Sequence, residues 1–451
     1  MRAGGRTTGF RRWLVPGIGV KRWLGLVFIG LLLLALGVAH TLRQLSGDLQ
    51  PGGLAQTFVD AITLQFLPFP LRGLIVGVLG VACVAVGAWR LALALTSPFR
   101  AAEAQPLVEV IYQKKFLARG PKIVAIGGGT GLSTLLRGMK EHTSNLTAIV
   151  TVADDGGSSG ALREELGIPP VGDIRNCIAA LADAEPLMAD LLGYRFPGGR
   201  QDPGVPVETV PGGLGGHAVG NLLIAAMTAL EDGDFEEAVR RMNRVLAVRG
   251  QVVPASPTPI TLHALTREGV VVTGQSSIGR TPGIERAWIG PDGVRASRDA
   301  VAAIEAAEII VLGPGSLYTS VLPVLLIPEL REAVAASSAI RVYACNVAMQ
   351  TGETQGMDLS DHVEALVRHT TPGLVDVVLA NDRIDRAGGG SGPVALRWPP
   401  AAEPVPHLAT DDVVDPNDPH HHDPERLAVA ILRACEREAA AVRRERVARS
   451  A

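Results

Sequence analysis

Two kinds of apolar pattern divide the chain. Near its start the apolar residues run unbroken: "WLGLVFIGLLLLALGVA" (23–39) and "GLIVGVLGVACVAVGAW" (73–89) carry no charge, and "LALAL" continues past Arg90. Each is near the lower limit for crossing a bilayer, which takes roughly 20 apolar residues. Apolar character on every face argues against an ordinary core helix. A basic region precedes the first run, as in a secretory signal. No small-residue cleavage site follows His40, however, and the second run would still hold the chain in the membrane.

Flanking charge sets an orientation. Arg2, Arg6, Arg11, Arg12, Lys21 and Arg22 precede the first run, and Arg90, Arg100, Lys114, Lys115 and Arg119 follow the second. The loop between them holds only Arg43 as a Lys/Arg residue. The positive-inside rule then places both ends in the cytoplasm. The expected organisation is a basic cytoplasmic tail (1–22), transmembrane helices (23–40 and 71–95) joined by a short external loop (41–70), and a linker (96–121). The expected location is the inner cell membrane, with a large cytoplasmic body.

From Lys122 the pattern becomes periodic. "KIVAIGG", "LTAIVTVAD", "AEIIVLGPG", "IRVYACNV" and "LVDVVLAND" are short Val/Ile-rich runs ending in turn residues, the signature of buried strands. Helical stretches lie between them: "GLSTLLRGMKEH", "GNLLIAAMTALED", "DFEEAVRRMNRVLAV", "ELREAVAASS" and "LSDHVEALVRHT". This alternation predicts an α/β fold, a Rossmann-like mostly parallel sheet with helices on both faces. The stretch 251–298, with "VVTGQSSIG" and "IERAWIG", predicts a β-rich insertion. From Pro424 a charged helix begins, capped by Asp423. The body is expected to form one domain over 122–433, with 434–451 as its charged helical end. The apolar face of that helix is a candidate surface for homo-oligomers.

Composition narrows the function classes. Over 451 residues the hydrophobic share is 47% and the net charge is -3, with mean hydropathy +0.25 and pI near 6.4. No nucleic-acid partner is indicated, and 4% aromatics give no base-stacking platform. Cys83, Cys177, Cys345 and Cys435 are far apart, without metal-ligand spacing, as suits a reducing compartment.

The chemistry-bearing residues collect at predicted strand ends, where ligands bind in open α/β sheets. After the first strand, Gly127, Gly128, Gly129, Thr130 and Gly131 present bare amides at a helix start, an arrangement suited to a phosphate. The loop is neither a full G-x-G-x-x-G, since Leu132 takes the last glycine's place, nor a Walker loop. A tight packing turn would also use those glycines. "TVADDGGSSGALREELG" puts Asp154 and Asp155 at the second strand's end, placed for a ribose hydroxyl or a divalent cation, with Ser158 and Ser159 following and Arg163 on the next helix. Asp173, Arg175 and Asn176 in "PPVGDIRNCIAAL", and His217, Gly220 and Asn221 in "GGHAVGN", repeat the design. So do Gly313, Gly315, Ser316, Tyr318, Thr319 and Ser320. Asn346, Thr351, Glu353 and Asn381 stand at later strand ends. Several such loops on one sheet point to a long phosphate-bearing ligand such as a nucleotide diphosphate ester. The run His420-His421-His422 has the residue type to bind a metal, but reads first as a solvated polar linker before the last helix.

These motifs, in order from "IVAIGGGTGLSTLLRGMK" through "TVADDGGSSGALREELGIPPVGDIRNCIAAL", "GHAVGNLLIAAM", "VLGPGSLYTSVLPVLLIPEL" and "CNVAMQTGET", resemble the bacterial gluconeogenesis factor family, the YvcK-like proteins. That family belongs to the CofD-like superfamily with the 2-phospho-L-lactate transferases. The resemblance implies binding of a UDP-sugar and a regulatory role joining carbon metabolism to cell-wall precursor supply and cell shape. It brings no firm catalytic activity. Carried onto this chain, it implies that Gly127 to Thr130 and Gly313 to Ser316 face phosphates. Asp154, Asp155 and Asp173 would face a metal such as Mg²⁺ or the ribose, and Asn176 and Asn221 the nucleotide or sugar. Two departures stand out: Gln275 in "TGQSSIG", where the family often has a Glu, and the two apolar runs ahead of the body. The alternative is a metal-dependent transferase acting on a nucleoside-diphosphate-linked phosphoester. An NAD-dependent oxidoreductase fits the fold but lacks the complete fingerprint and a hydride-transfer pair.

Overall fold

The structure, a computed structural model, describes residues 23, 25–35, 69–96, 117–183, 185–197, 213–384, 392–401 and 403–450. The chain divides into two units, Met1–Val110 and Ile111–Ala451.

The first unit contains a helix over 25–35 and another at Phe69–Thr96. They meet at glycines: a Cβ on Gly30 would lie 3.0 Å from Gly80 O, and one on Gly87 would lie 3.1 Å from Val27 N. Phe28, Leu32, Val78, Leu79 and Trp89 are exposed on the pair. No helix among the described residues is long and apolar enough to cross a membrane. The expected tail (1–22) and most of the expected external loop and linker lie outside the described residues, as does part of the first expected span, whereas the second (71–95) falls within the helix Phe69–Thr96.

The second unit is built on ten strands: β1 (Ile123–Gly127), β2 (Leu146–Val150), β3 (Gln251–Pro254), β4 (Thr261–Thr266), β5 (Val271–Thr273), β6 (Ile284–Gly290), β7 (Ile309–Leu312), β8 (Ile340–Ala344), β9 (Val377–Asn381) and β10 (His407–Asp411). Its helices are α1 (Gly129–Met139), α2 (Gly157–Leu166), α3 (Gly172–Leu181), α4 (Glu185–Gly193), α5 (Val219–Leu230), α6 (Phe235–Val245), α7 (Gln275–Ile278), α8 (Arg298–Glu305), α9 (Leu322–Leu325), α10 (Pro328–Ala336), α11 (Leu359–His369) and α12 (Pro424–Ser450). A π-helical turn, Leu317–Val321, precedes α9.

Seven strands form one sheet in the order β10-β9-β8-β7-β1-β2-β3, every pair parallel. Every residue of β1, β2, β7 and β9 is buried, as a parallel sheet covered by helices on both faces requires. The chain runs outward from β1 through β2 to β3, then returns to β7 and runs outward the other way. The β1–β7 boundary is therefore the topological switch point, where a crevice opens beyond the strand ends.

Three differences from the sequence reading have physical causes. Gln251–Pro254 belongs to the main sheet as β3, pairing with β2, so the insertion is shorter than 251–298. It consists of the antiparallel sheet β5-β4-β6 and α7. The "GGSSG" stretch does not stay a loop. Ser159 Oγ accepts from the N–H groups of Val171 and Gly172, at 2.9 and 3.0 Å, and this tertiary tie holds the segment as the start of α2. Finally, "HLATD" forms the edge strand β10 beside β9, its outer positions exposed. The helix α12 then crosses back onto α1, where Gly138 leaves room for Pro424 and Ala428.

Candidate functional site

Loops from β1, β7 and β8 converge on one cleft of ≈ 240 Å³ at the switch point. Gly129 adopts φ +63, a left-handed conformation that favours glycine, and this turns the chain into α1. Gly131 is required by closeness: a Cβ there would lie 2.5 Å from Pro314 O, in the loop after β7. The glycines thus serve packing between two strand ends, and Gly128, Gly129, Thr130 and Gly131 also line the cleft.

The β7 side is held by a reciprocal clamp. Gly315 N–H donates to Asn346 Oδ1 and Asn346 Nδ2 donates to Gly315 O, both at 3.0 Å. Gln350 Nε2 donates to Ser316 Oγ at 2.7 Å, while Gln350 Oε1 is buried without a partner. Beneath this wall Glu353 is buried. Its Oε1 accepts from the N–H groups of Tyr318 (2.5 Å) and Thr319 (3.2 Å), and its Oε2 from Thr319 Oγ1 (2.8 Å). Burial raises its pKa; these three donors oppose the rise. Gln275, at the position noted for a missing carboxylate, donates to Thr319 O instead.

The acids stand behind the glycine loop. Asp173, on the first turn of α3, is half-buried beside Gly128 and Gly129. Burial, with Asp154 adding, pushes its carboxyl up to about 6 against the pull of Gly129 N–H and Arg175. Asp154 accepts from Gly156 N–H at 2.9 Å, and its pKa too is raised, mainly by burial. Asp155 is used differently: its Oδ1 accepts from Ser276 N–H at 2.9 Å, tying β2's end to α7 of the insertion.

The expected serine and asparagine contacts form an interior network. Ser158 Oγ lies 3.1 Å from His217 Nδ1 and accepts from Asn221 Nδ2 at 3.0 Å. Arg175 donates to Asn221 Oδ1 (3.1 Å) and Asn176 Oδ1 (2.8 Å), and Gly220 gives its side chain room, since a Cβ there would lie 2.7 Å from Arg175 Cγ. Burial and neighbouring Arg195 lower the Arg175 pKa. These residues join α2, α3 and α5 rather than line the cleft. Asn381, at the end of β9, accepts from Val413 N–H at 3.4 Å.

Sequence reasoning missed the remaining wall. His420 and His421 are exposed, as a solvated stretch would have them, and His422 is buried, yet all three line the cleft. Their position depends on β10 leading the chain back over the β8 end, a turn that no local pattern announces.

The family model for 2-phospho-L-lactate transferase CofD matches residues 123–389, more than half of the chain. The chain belongs to the CofD family. Among its relatives, a gluconeogenesis factor of Halalkalibacterium halodurans is 49% identical over 260 residues, 57% of this chain and 77% of the relative. The gluconeogenesis factor of Bacillus subtilis is 48% identical over 266 residues, 59% of this chain and 80% of that one. The crystal structure of a upf0052 family protein from Bacillus halodurans superposes with TM-score 0.59 at 41% identity, covering 69% of this chain and 99% of that chain. Within this CofD-family chain the glycine loops, Asp154 and Asp173 all fall inside the matched span, whereas the three histidines lie beyond it.

Proposed function

We infer that this CofD-family chain is a gluconeogenesis factor, a regulator that binds a UDP-sugar and adjusts carbon flow toward cell-wall precursors and cell shape. The names of its relatives support the first part. The observation that carries the ligand reading is the cleft itself. It sits at the switch point, offers helix-start amides and hydroxyls, and has no carboxylate among its described lining residues. Such a lining favours an anion. Isothermal titration of the full chain with UDP-N-acetylglucosamine tests the reading; millimolar ligand without heat overturns it.

The transferase alternative rests on Asp154 and Asp173. The described residues contain no group of three or more His, Cys, Asp or Glu placed for a metal. Mg²⁺ would therefore depend on these two carboxylates, with diphosphate oxygens and water completing the shell, an ordinary arrangement for that ion. When bound, it would neutralise charge on the bridging phosphate. Release of UMP or GMP from nucleotide esters in the presence of a flavin-like acceptor and Mg²⁺ would favour the transferase over the regulator.

The N-terminal helices are proposed to anchor the chain in the inner membrane. The glycine-lined contact between them, with apolar side chains turned outward, supports this. Full-length protein is expected in the detergent-soluble membrane fraction; recovery in a high-speed supernatant without detergent refutes the anchor.

A further inference from the structure

The far wall of the cleft comes from the segment after β10, outside the span matched by the family model. That segment is held rigidly. His422 is buried, and its Nε2 donates to Cys345 O at 3.2 Å, pinning the turn to the end of β8. Asp423 N–H donates to Val413 O at 2.9 Å and Asp415 N–H to His421 O at 2.9 Å. Asp418 then sets the two outer histidines. Its Oδ1 accepts from His420 N–H at 3.1 Å, and its Oδ2 pairs with His421 Nδ1 at 2.7 Å. A carboxylate can only accept, so His421 Nδ1 carries a proton; Nε2 is the nitrogen left for a ligand, and it donates to an anion only in the doubly protonated ring.

The chemistry of the cleft is one-sided. Among its described lining residues the three histidines are the only groups that can carry charge, and His422 is already committed to a carbonyl. Opposite them stand the α1 amides and the Ser316 and Ser320 hydroxyls. Gln350 lines the cleft through a side chain whose Oε1 is buried without a protein partner. Asp173 lies behind Gly128, outside the lining. A lining of small polar residues and imidazoles without a carboxylate suits an anion such as a phosphate. The ≈ 240 Å³ volume is below the about 300–1,000 Å³ of a full ligand pocket, so it suits the phosphate–sugar part of a larger molecule.

We propose that His420 and His421 are ligand contacts, which close the cleft over the phosphates of a phosphorylated sugar held against the glycine amides. This deepens the UDP-sugar reading and rests on it for the sugar, but not for the phosphate.

The test uses the full-length chain and two probes, UDP-N-acetylglucosamine and inorganic pyrophosphate, titrated into wild type, H420A/H421A and H420Q/H421Q. Both positions are exposed, so melting midpoints of the variants are expected to match wild type. Losing two imidazole contacts is expected to weaken pyrophosphate about tenfold or more in either variant. A H420K/H421K variant, which supplies positive charge at both positions, is expected to recover most of that loss. Equal pyrophosphate affinity in wild type and in a folded variant overturns the proposal while leaving the UDP-sugar reading intact. Binding of pyrophosphate but not of UDP-N-acetylglucosamine, with the variants impaired, sinks the nucleotide-sugar reading and sustains the histidine contacts. If wild type binds neither probe, both fall.

Discussion

Gly128 and Asp173 touch across the base of the glycine loop: a Cβ added at 128 would lie 2.5 Å from Asp173 Oδ2 and 2.6 Å from Thr151 Cγ2. The backbone at Gly128 is extended, with φ -172, so any residue could adopt it. Space rather than conformation selects glycine here. An alanine must push back either the acid or the floor of the sheet.

Gly128→Ala is therefore expected to destabilise the fold by about 1–3 kcal/mol, the usual cost of overpacking, and to weaken ligand binding by shifting the glycine loop that lines the cleft. Thermal melts and titration with UDP-N-acetylglucosamine check both. An unchanged melting midpoint would mean that the acid moves freely.

Asp173 should leave a mark on the pH profile. Its carboxyl is held near 6, above the ordinary 3.8, so the folded state binds more protons between those values. Stability from this group is thus present below about pH 4 and is lost as pH rises through 6. Asp173→Asn should raise stability above pH 6 by about 3 kcal/mol, with little change at pH 4. Denaturant melts at both pH values decide it; equal effects at the two would remove the buried acid as the cause.

His422 works with the opposite sign. Burial lowers its pKa from 6.5 to about 4, against the pull of Cys345 O. The neutral ring's contribution is complete above pH 6.5 and declines as the pH falls to 4, by about 3 kcal/mol. His362 and His369 are also lowered by burial and add in the same direction. His422→Gln keeps a donor for Cys345 O but has no ring to protonate. Its stability should fall less steeply than wild type between pH 6.5 and 4, and a parallel decline would argue against this role.

Glu353 holds the wall after β7 together through three donors. Glu353→Ala leaves those buried donors without an acceptor and is expected to cost about 2–4 kcal/mol while loosening the Ser316–Ser320 side of the cleft. Glu353→Gln, which retains one oxygen, should fall between wild type and the alanine variant. Matched midpoints for the two variants would contradict the account.

The strands that the sequence announced are those buried on both faces. β1, β2, β7, β8 and β9 show as short apolar runs because the parallel sheet covers them twice. β10 escaped notice because its outer face is exposed and "HLATD" has no apolar run. β3 was absorbed into the insertion because it is only four residues long, too short to show a pattern of its own. At the site, the glycine loops were legible from strand-end position alone. The purpose of Ser158, Ser159 and Asn221 was not, since a polar residue near a strand end serves a ligand or a neighbouring helix equally well until the partner is known. Asp155 teaches the same lesson. Its position beside Asp154 suggested a shared task, whereas one carboxylate sits beside the glycine loop's acid and the other ties down the insertion.

The seat that Gly138 leaves for Pro424 and Ala428 has a consequence for how the domain comes into being. One of the earliest helices to emerge from the ribosome is finished by one of the latest, with most of the domain between them in synthesis order. Until α12 arrives, the nascent chain must keep an open apolar flank on α1. Closure of that flank therefore waits for α12 to be made, and a product lacking α12 would be a natural client for chaperones.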